Sequence, residues 1–368
     1  MLKTIPGIIM GPSIAMTTLT NWAETGRKYF TSAEPLALIY FVTKSCNCSC
    51  SHCFYWESLN KPRPRELTLR EIEKIGDSLG KLLYLRLSGG EPFVRKDLFE
   101  IVELFNRKCR PSYIGIPTNG YFTERIVSFA EKARALDTRL EIGISIDDLG
   151  EFHDKIRGPK NLFQIATDSF RRLKKIKSPN LGVGFITTVM KSNQARLFEL
   201  FDFLKNLEPD SIACNIIRDD TLVKEEKEID LATSQRFSDL CDEFNHRNRP
   251  HDWFQKLRET KTLYAHDIRE KTIETNTYQI PCVAGNKIVV MYAEGEIHPC
   301  ETLGYEIGNI RDYDYDMKKI LQCERAKHIR DKIIKEHCFC THECFTSASI
   351  ALSKKQLAKV FVKALGKN

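Results

Sequence analysis

The pattern of apolar and polar positions changes along the chain. From Leu36 to about residue 219, short near-continuous apolar runs at 36–43, 82–87, 113–117, 140–146, 182–189 and 211–217 alternate with segments of helical period. Runs that are apolar at nearly every position, not every second one, belong to strands covered on both faces, which points to a parallel sheet. The intervening helix candidates are 68–80, 97–106, 124–136, 162–175 and 194–207. The first opens at Thr68 with Glu71 three residues on, a capping box. Six βα-like units describe a closed or partial α/β barrel, or a doubly wound sheet. Beyond residue 220 the alternation stops. Residues 221–230 read as a charged surface linker and 234–275 as polar helix. Residues 287–292 and 296–300 read as two arms of a hairpin turned at Gly295. The tail, Ser347 to Asn368, reads as one basic amphipathic helix with Leu357, Val360, Phe361 and Ala364 in a stripe among lysines.

Composition narrows the class. The 368 residues are 42% hydrophobic and 29% charged, which excludes disordered and collagen-like chains. Lys and Arg total 56 against 49 Asp and Glu, a mild excess of +7 that does not demand nucleic acid, and no nucleic-acid partner is expected. No apolar stretch reaches the roughly 20 residues of a membrane span. The apolar segment Ile5 to Pro12 is broken by Pro6 and Gly7, so it does not read as a signal peptide, and a cytoplasmic enzyme is the expectation. Thirteen cysteines, an odd number, do not make the disulfide framework of a small secreted domain. They fall instead into a cluster at Cys46, Cys48, Cys50 and Cys53 and a set at Cys282, Cys300, Cys338, Cys340 and Cys344. Clustered thiols of this kind point to metal.

Skipping Cys48, the first cluster reads Cys46-x3-Cys50-x2-Cys53 and follows the first strand directly. In α/β barrels the C-terminal rim of the strands is where sites are built. Three thiolates in one loop can hold one face of a cubane iron–sulfur cluster and leave the fourth iron open. A zinc site with His52 or Cys48 as the fourth ligand is the other reading. The next strands end in Ser88-Gly89-Gly90-Glu91-Pro92, Thr118-Asn119-Gly120 and Ser145-Ile146-Asp147-Asp148, all at the same rim. The glycines suit a close backbone approach to a ligand, and Glu91 suits an ammonium group. Asp147 and Asp148 are acid/base candidates or helix caps. Arg218-Asp219-Asp220 ends the sixth strand and could face the same site. Tyr55, Trp56 and Tyr305 could line a substrate pocket.

Taken in order, these motifs resemble the radical S-adenosylmethionine (radical SAM) enzymes over roughly residues 36–220. The resemblance implies a partial (β/α)6 TIM-like barrel followed by a small C-terminal α+β iron–sulfur domain. It implies a SAM-binding 4Fe–4S cluster on Cys46, Cys50 and Cys53. It also implies SAM contacts from Gly89, Gly90 and Glu91 to the methionyl ammonium and from Ser145 and Arg157 to its carboxylate. Thr118 and Asn119 are carried with the same cofactor site, and His52 and Phe54 would lie near adenine. The implied chemistry is reductive cleavage of SAM to a 5′-deoxyadenosyl radical that abstracts hydrogen from a substrate. An electron donor such as flavodoxin or ferredoxin is implied with it.

Cys282, Cys300 with Gly295 five residues before it, and the closing Cys338-Phe339-Cys340-Thr341-His342-Glu343-Cys344 resemble the auxiliary-cluster domains called SPASM and twitch. One probable auxiliary cluster is implied, with Cys282, Cys300 and Cys344 as ligands and Cys340, ahead of Cys338, as the fourth. A zinc knob using His337 and His342 is the other reading. The expected organisation is an extension at 1–35, the barrel at 36–220, a helical connector at 221–281, the auxiliary domain at 282–346 and the tail helix at 347–368. The substrate is unknown: a peptide undergoing maturation, or a small metabolite or sugar undergoing oxidation or rearrangement. Two amphipathic ends raise weak contact with a membrane surface and a lipid-linked substrate as an alternative. A non-catalytic iron–sulfur or zinc scaffold is a further alternative.

Overall fold

Strand order decides between the architectures left open by the sequence. The computed structural model describes residues 24–31, 33–61, 65–218, 221–247 and 253–366. Expectations placed on the N-terminal apolar segment, on Asp219 and Asp220 and on the last two residues lie outside them. A helical stretch at 24–30, α1, precedes six strands: β1 (Ala37–Thr43), β2 (Tyr84–Gly89), β3 (Tyr113–Thr118), β4 (Arg139–Ser145), β5 (Leu181–Val189) and β6 (Ile212–Ile216). All pair in parallel and lie side by side in chain order. A doubly wound sheet reverses its order at a switch point; this one never does. It is an open, partial α/β barrel.

Helices alternate with the strands: α2 (Leu69–Leu79), α3 (Leu98–Cys109), α4 (Thr123–Ala133), α5 (Gly150–Arg157), α6 (Leu162–Leu173) and α7 (Leu197–Asn206). The capping box is formed: Thr68 Oγ1 accepts from the Glu71 amide, and Glu71 accepts from the Thr68 amide at 2.8 Å. Every residue of β1 is buried, as a strand covered on both faces requires. In β2 the buried positions alternate with partly open ones, so Tyr84, Arg86 and Ser88 share one face, and Arg86 and Ser88 line the barrel cavity.

The C-terminal third is wired into this sheet. The hairpin forms as β7 (Ile288–Met291) and β8 (Glu296–His298), and β9 (Gly308–Asn309) follows. β7 also pairs in parallel with β1, so one nine-stranded sheet carries both the barrel and the hairpin. The polar helical stretch is two helices, α8 (Leu231–His246) and α9 (Trp253–Thr275); α10 (Met317–Gln322) and α11 (Glu324–Lys335) follow. The tail is not one helix but two, α12 (Glu343–Ala351) and α13 (Lys354–Gly366), broken at Leu352 and Ser353. The buried stripe of α13 is Gln356, Val360 and Ala364, while Phe361 is exposed. Tyr264 on α9 donates to Gln356 at 2.9 Å, which sets the helix rotation. Among the described residues no helix is long and apolar enough to cross a membrane.

Candidate active site

The cysteine loop leaves β1 at the C-terminal rim and is held from three sides. Asn60 clamps it: the Cys46 amide donates to Asn60 Oδ1 and Asn60 Nδ2 donates to the Cys46 carbonyl, both at 2.9 Å. The end of α5 holds its middle, with the Ser49 amide donating to the Arg157 carbonyl and the Ser51 amide to that of Ile156. The turn after β2 supports its start: the Gly90 amide donates to Thr43 and the Glu91 amide to Ser45. The glycines are needed for that support. A Cβ on Gly89, at φ +126°, would lie 2.2 Å from the Thr43 carbonyl oxygen, and one on Gly90 2.3 Å from that of Ser45. The close approach they permit is to the strand leading into the loop.

The loop borders a cavity of about 200 Å³. Cys46, Cys50 and Cys53 line it together with Gly89, Gly90, Glu91, Thr118, Asn119, Ser145, Arg157, His52 and Phe54. The residues the sequence marked at four strand ends thus share one space. Their side chains are not all free to face a ligand. Glu91 is buried and accepts from Thr118 Oγ1 and the Asn119 amide, each at 2.7 Å, and from the Phe93 amide at 3.1 Å. Burial pushes its carboxyl up to about 7 against those bonds. Asn119 Nδ2 donates to Asn47 Oδ1 at 2.9 Å and contacts Cys48 Sγ at 3.1 Å. The Phe54 ring lies beneath the Arg218 guanidinium, 4.3 Å from ring centre to Cζ.

Asp147 and Arg157 form a buried pair beneath the loop. Arg157 Nε donates to Asp147 Oδ2 at 2.7 Å, and Thr188 donates its amide to Oδ1 at 2.9 Å. Burial pushes the Asp147 carboxyl up, but Arg157, His52 and His153 outweigh it and hold it at about 2. His52 Nε2 is 3.7 Å away. Arg157 Nη1 also reaches to 3.9 Å from Cys50 Sγ. A hydrogen bond from the Cys48 thiol lowers the Cys50 thiol, and the Arg157 charge adds to this against burial. Asp148 is tied to Arg196 at 2.5 Å and to the Leu149 amide. Both aspartates are therefore tied to arginines, and neither side chain is free to face a ligand.

His153 is fully buried and accepts from the Asp147 amide at 3.1 Å. Burial, with Arg157 adding to it, lowers its imidazole to about 3, and Asp147 opposes. A histidine depressed in the fold contributes stability that is full above its unfolded value near 6.5 and drains away as the pH falls toward 3. Between pH 7 and pH 5 it is expected to cost about 2 kcal/mol. In urea melts, His153→Phe, which cannot titrate, should show a flatter decline over that range after a constant offset. An equally steep decline would assign the acid loss elsewhere, for example to the half-buried His266 and His298, which burial also lowers.

The C-terminal cysteines divide differently from the sequence reading. Cys282, Cys300, Cys338 and Cys340 surround a second cavity of about 60 Å³, walled by Ile280, Leu303 and Phe345. Burial pushes the thiols of Cys282 to about 11 and of Cys340 to about 12, and raises Cys338. Each of the three also feels other members of the quartet. Cys344 does not. It starts α12, and the charges around it are Arg86, Glu301, Arg218 and Glu343. Cys338 and Cys340 are thus both grouped with Cys282 and Cys300, while Cys344 lies toward the barrel. Among the described residues no three Cys, His, Asp or Glu side chains converge tightly enough to grip a single ion; the quartet encloses a wider space.

Sequence reasoning missed Arg86, Glu301, Thr188 and Asn215, which line the first cavity. Glu301, next to Cys300, pairs with Arg218. Burial pushes its carboxyl up, but Arg218 and His342 bring it down to about 2. This pair bridges the barrel and the quartet region. The available signal was positional: Arg86 and Ser88 are two apart on β2 and so share one face. Tyr55 stacks on Tyr292 and Tyr305 lies under Lys332, so neither faces the cavity; Trp56 is partly exposed.

Comparison with known proteins is consistent with this geometry. Residues 40–204 match the family model of the Radical SAM superfamily. A Methanosarcina barkeri protein named Fe-coproporphyrin III synthase is 29% identical over 178 residues, 48% of this chain and 42% of the relative. The chain thus spans about two fifths of that relative's length. AdoMet-dependent heme synthase from the same organism is 27% identical over 294 residues, covering 76% of this chain and 81% of the relative. Streptococcus suis SuiB bound to S-adenosylmethionine superposes with a TM-score of 0.60 at 15% identity, over 89% of this chain and 75% of SuiB. At that identity the likeness concerns the fold. The family match and relatives named as synthases support an enzyme over a scaffold.

Proposed function

Starting from a chain whose residues 40–204 match the Radical SAM superfamily, we propose that this protein is a radical SAM enzyme that abstracts hydrogen from a peptide or small-molecule substrate. The observation that carries the reading is the convergence of Cys46, Cys50 and Cys53 with the ends of β2, β3 and β4 on one cavity. The donor set fits the cofactor: three thiols at one side of a cavity whose remaining wall mixes apolar residues with polar ones such as Thr118, Asn119, Ser145 and Thr188. When bound, the cluster supplies the electron that splits SAM, and the adenosyl fragment takes a hydrogen atom from the substrate.

The chain's own residues prepare that chemistry. Asn60 and the end of α5 fix the loop before any cofactor binds, so little ordering remains to be done. Arg157 places positive charge beside Cys50, which favours the thiolate that binds iron. Asp147 holds Arg157 in place. Glu91 ties β2 to β3 and sets the positions of Thr118 and Asn119. The Cys282, Cys300, Cys338 and Cys340 quartet supports one auxiliary iron–sulfur cluster in this reading. As to substrate, SuiB has been crystallised with a precursor peptide, SuiA, and the relatives above are named for porphyrin and heme synthesis.

The test is anaerobic reconstitution with iron and sulfide, then dithionite and SAM. Roughly eight irons per chain are expected for two cubane clusters, with slow release of 5′-deoxyadenosine that disappears in Cys50→Ala. Bound zinc and no 5′-deoxyadenosine would defeat the proposal.

A further inference from the structure

Below the loop, the cavity contains a cation, Arg86, with no carboxylate in direct ion-pair contact among the described residues. Arg86 sits two residues before Ser88 on the same face of β2, so it enters the cavity about 7 Å deeper than the rim. Elsewhere in this interior, arginines hold acids: Arg157 holds Asp147, Arg218 holds Glu301, and Arg269 holds Glu343. Among the described residues no carboxylate is in ion-pair contact with Arg86, and its hydrogen bond goes to the Tyr84 hydroxyl at 3.3 Å. Tyr84 in turn stacks on Tyr113, with ring centres 5.6 Å apart and planes 9° apart. That stack fixes one side of the guanidinium and leaves its remaining donors toward the cavity. Glu301 and Glu343 act on Arg86 only from beyond ion-pair distance. A guanidinium whose donors no acid takes up is expected where a ligand supplies the acceptor.

We propose that Arg86 anchors a carboxylate of the substrate beneath the cofactor. This rests on the radical SAM reading and adds the class of substrate to it: a molecule carrying a carboxylate close to the carbon that loses hydrogen. The planar fork of a guanidinium matches the two oxygens of a carboxylate. Around Arg86, Tyr84, Cys344 and Glu301 favour its charged form against the cost of burial, so it remains a cation at neutral pH. One fixed guanidinium suits a single carboxylate group; a phosphate group usually gathers several donors. Thr188 and Asn215 on the cavity wall can hydrogen-bond the rest of the ligand. A carboxylate held here fixes the orientation of the carbon beside it, which radical abstraction needs in order to be selective.

The experiment uses the anaerobically reconstituted full chain, with and without SAM, and glutarate as the probe. Calorimetric titration compares glutarate with glutaramide, its neutral analogue, and with inorganic phosphate. Wild type is expected to bind glutarate at least tenfold tighter than glutaramide, and Arg86→Gln to weaken glutarate tenfold to a hundredfold. Arg86→Lys, which keeps charge and bulk but loses the fork, is expected to fall between and serves if Arg86→Gln does not fold. The proposal is overturned if wild type does not distinguish glutarate from glutaramide, or if neither variant weakens glutarate. It is also overturned if phosphate binds more tightly than glutarate. Loss of SAM affinity in the variants by the same factor as glutarate would place Arg86 on the methionyl carboxylate instead and overturns it too. A wild type that binds glutarate through Arg86 yet makes no 5′-deoxyadenosine would leave the subsite standing and remove the radical SAM reading, so the two can fail separately.

Discussion

Alanine at Cys338 or at Cys340 is expected to remove about four of roughly eight irons from the reconstituted protein, and alanine at Cys344 to remove none. The reason is placement. Cys338 and Cys340 line the same small cavity as Cys282 and Cys300, while Cys344 is turned to Arg86 and Glu301. Burial keeps the thiols of Cys282, Cys338 and Cys340 protonated in the absence of a cation. Metal binding must therefore expel those protons, and iron loading should improve as the pH rises. Iron and sulfide quantification on the three variants, at two pH values, reads both effects. Four irons lost from Cys344→Ala, with none lost from Cys338→Ala, would return the fourth ligand to α12 and break this assignment.

Arg157→Leu is expected to cost about 3–5 kcal/mol of stability and all cluster-dependent 5′-deoxyadenosine. The substitution leaves the Asp147 carboxylate buried without its guanidinium, with the Thr188 amide, His52 and His153 near it. It also removes the cation next to Cys50. The pH dependence distinguishes these roles. In the native protein Asp147 is held at about 2, so its contribution is present above its unfolded value near 4 and is lost as the pH falls through 2. Without Arg157 the carboxyl is expected to rise, and the deficit against wild type should shrink on acidification. Asp147→Asn placed on Arg157→Leu should recover much of the stability, because no charge is then buried alone, but not the activity. Urea melts of the two single variants and the double variant form the cycle. A single variant within 1 kcal/mol of wild type would show that the pair does not hold the loop.

How far the sequence reaches depends on whether a feature is local. The cysteine spacing, the capping box at Thr68 and Glu71, and the six strand runs are local, and the chain shows each of them where the apolar pattern put it. Even so, β2 runs Tyr84–Gly89, later than the expected 82–87, because pairing with β1 sets its ends. The glycines at 89 and 90 were recognisable as a site for close approach. What they approach, the carbonyls of Thr43 and Ser45, is known only once two strands lie side by side. The tail was expected to be one helix on the strength of the stripe Leu357, Val360, Phe361 and Ala364 among lysines. The break between α12 and α13 follows from how each helix packs against α9.

By itself the sequence determined a parallel α/β sheet, a rim of strand ends gathered around three cysteines, and a second cysteine set near the end of the chain. Those follow from burial on both strand faces and from thiols a few residues apart, which any compact fold must bring together. The tertiary structure alone decided three things: that strand order makes the sheet a partial barrel which β7 joins, that Cys338 and Cys340 line one cavity with Cys282 and Cys300, and that Arg86 has no carboxylate in ion-pair contact among the described residues. Each depends on which residues distant in the chain become neighbours. Packing sets those neighbours through side-chain volume and the pairing of buried charge, and neither is written in the spacing of one segment.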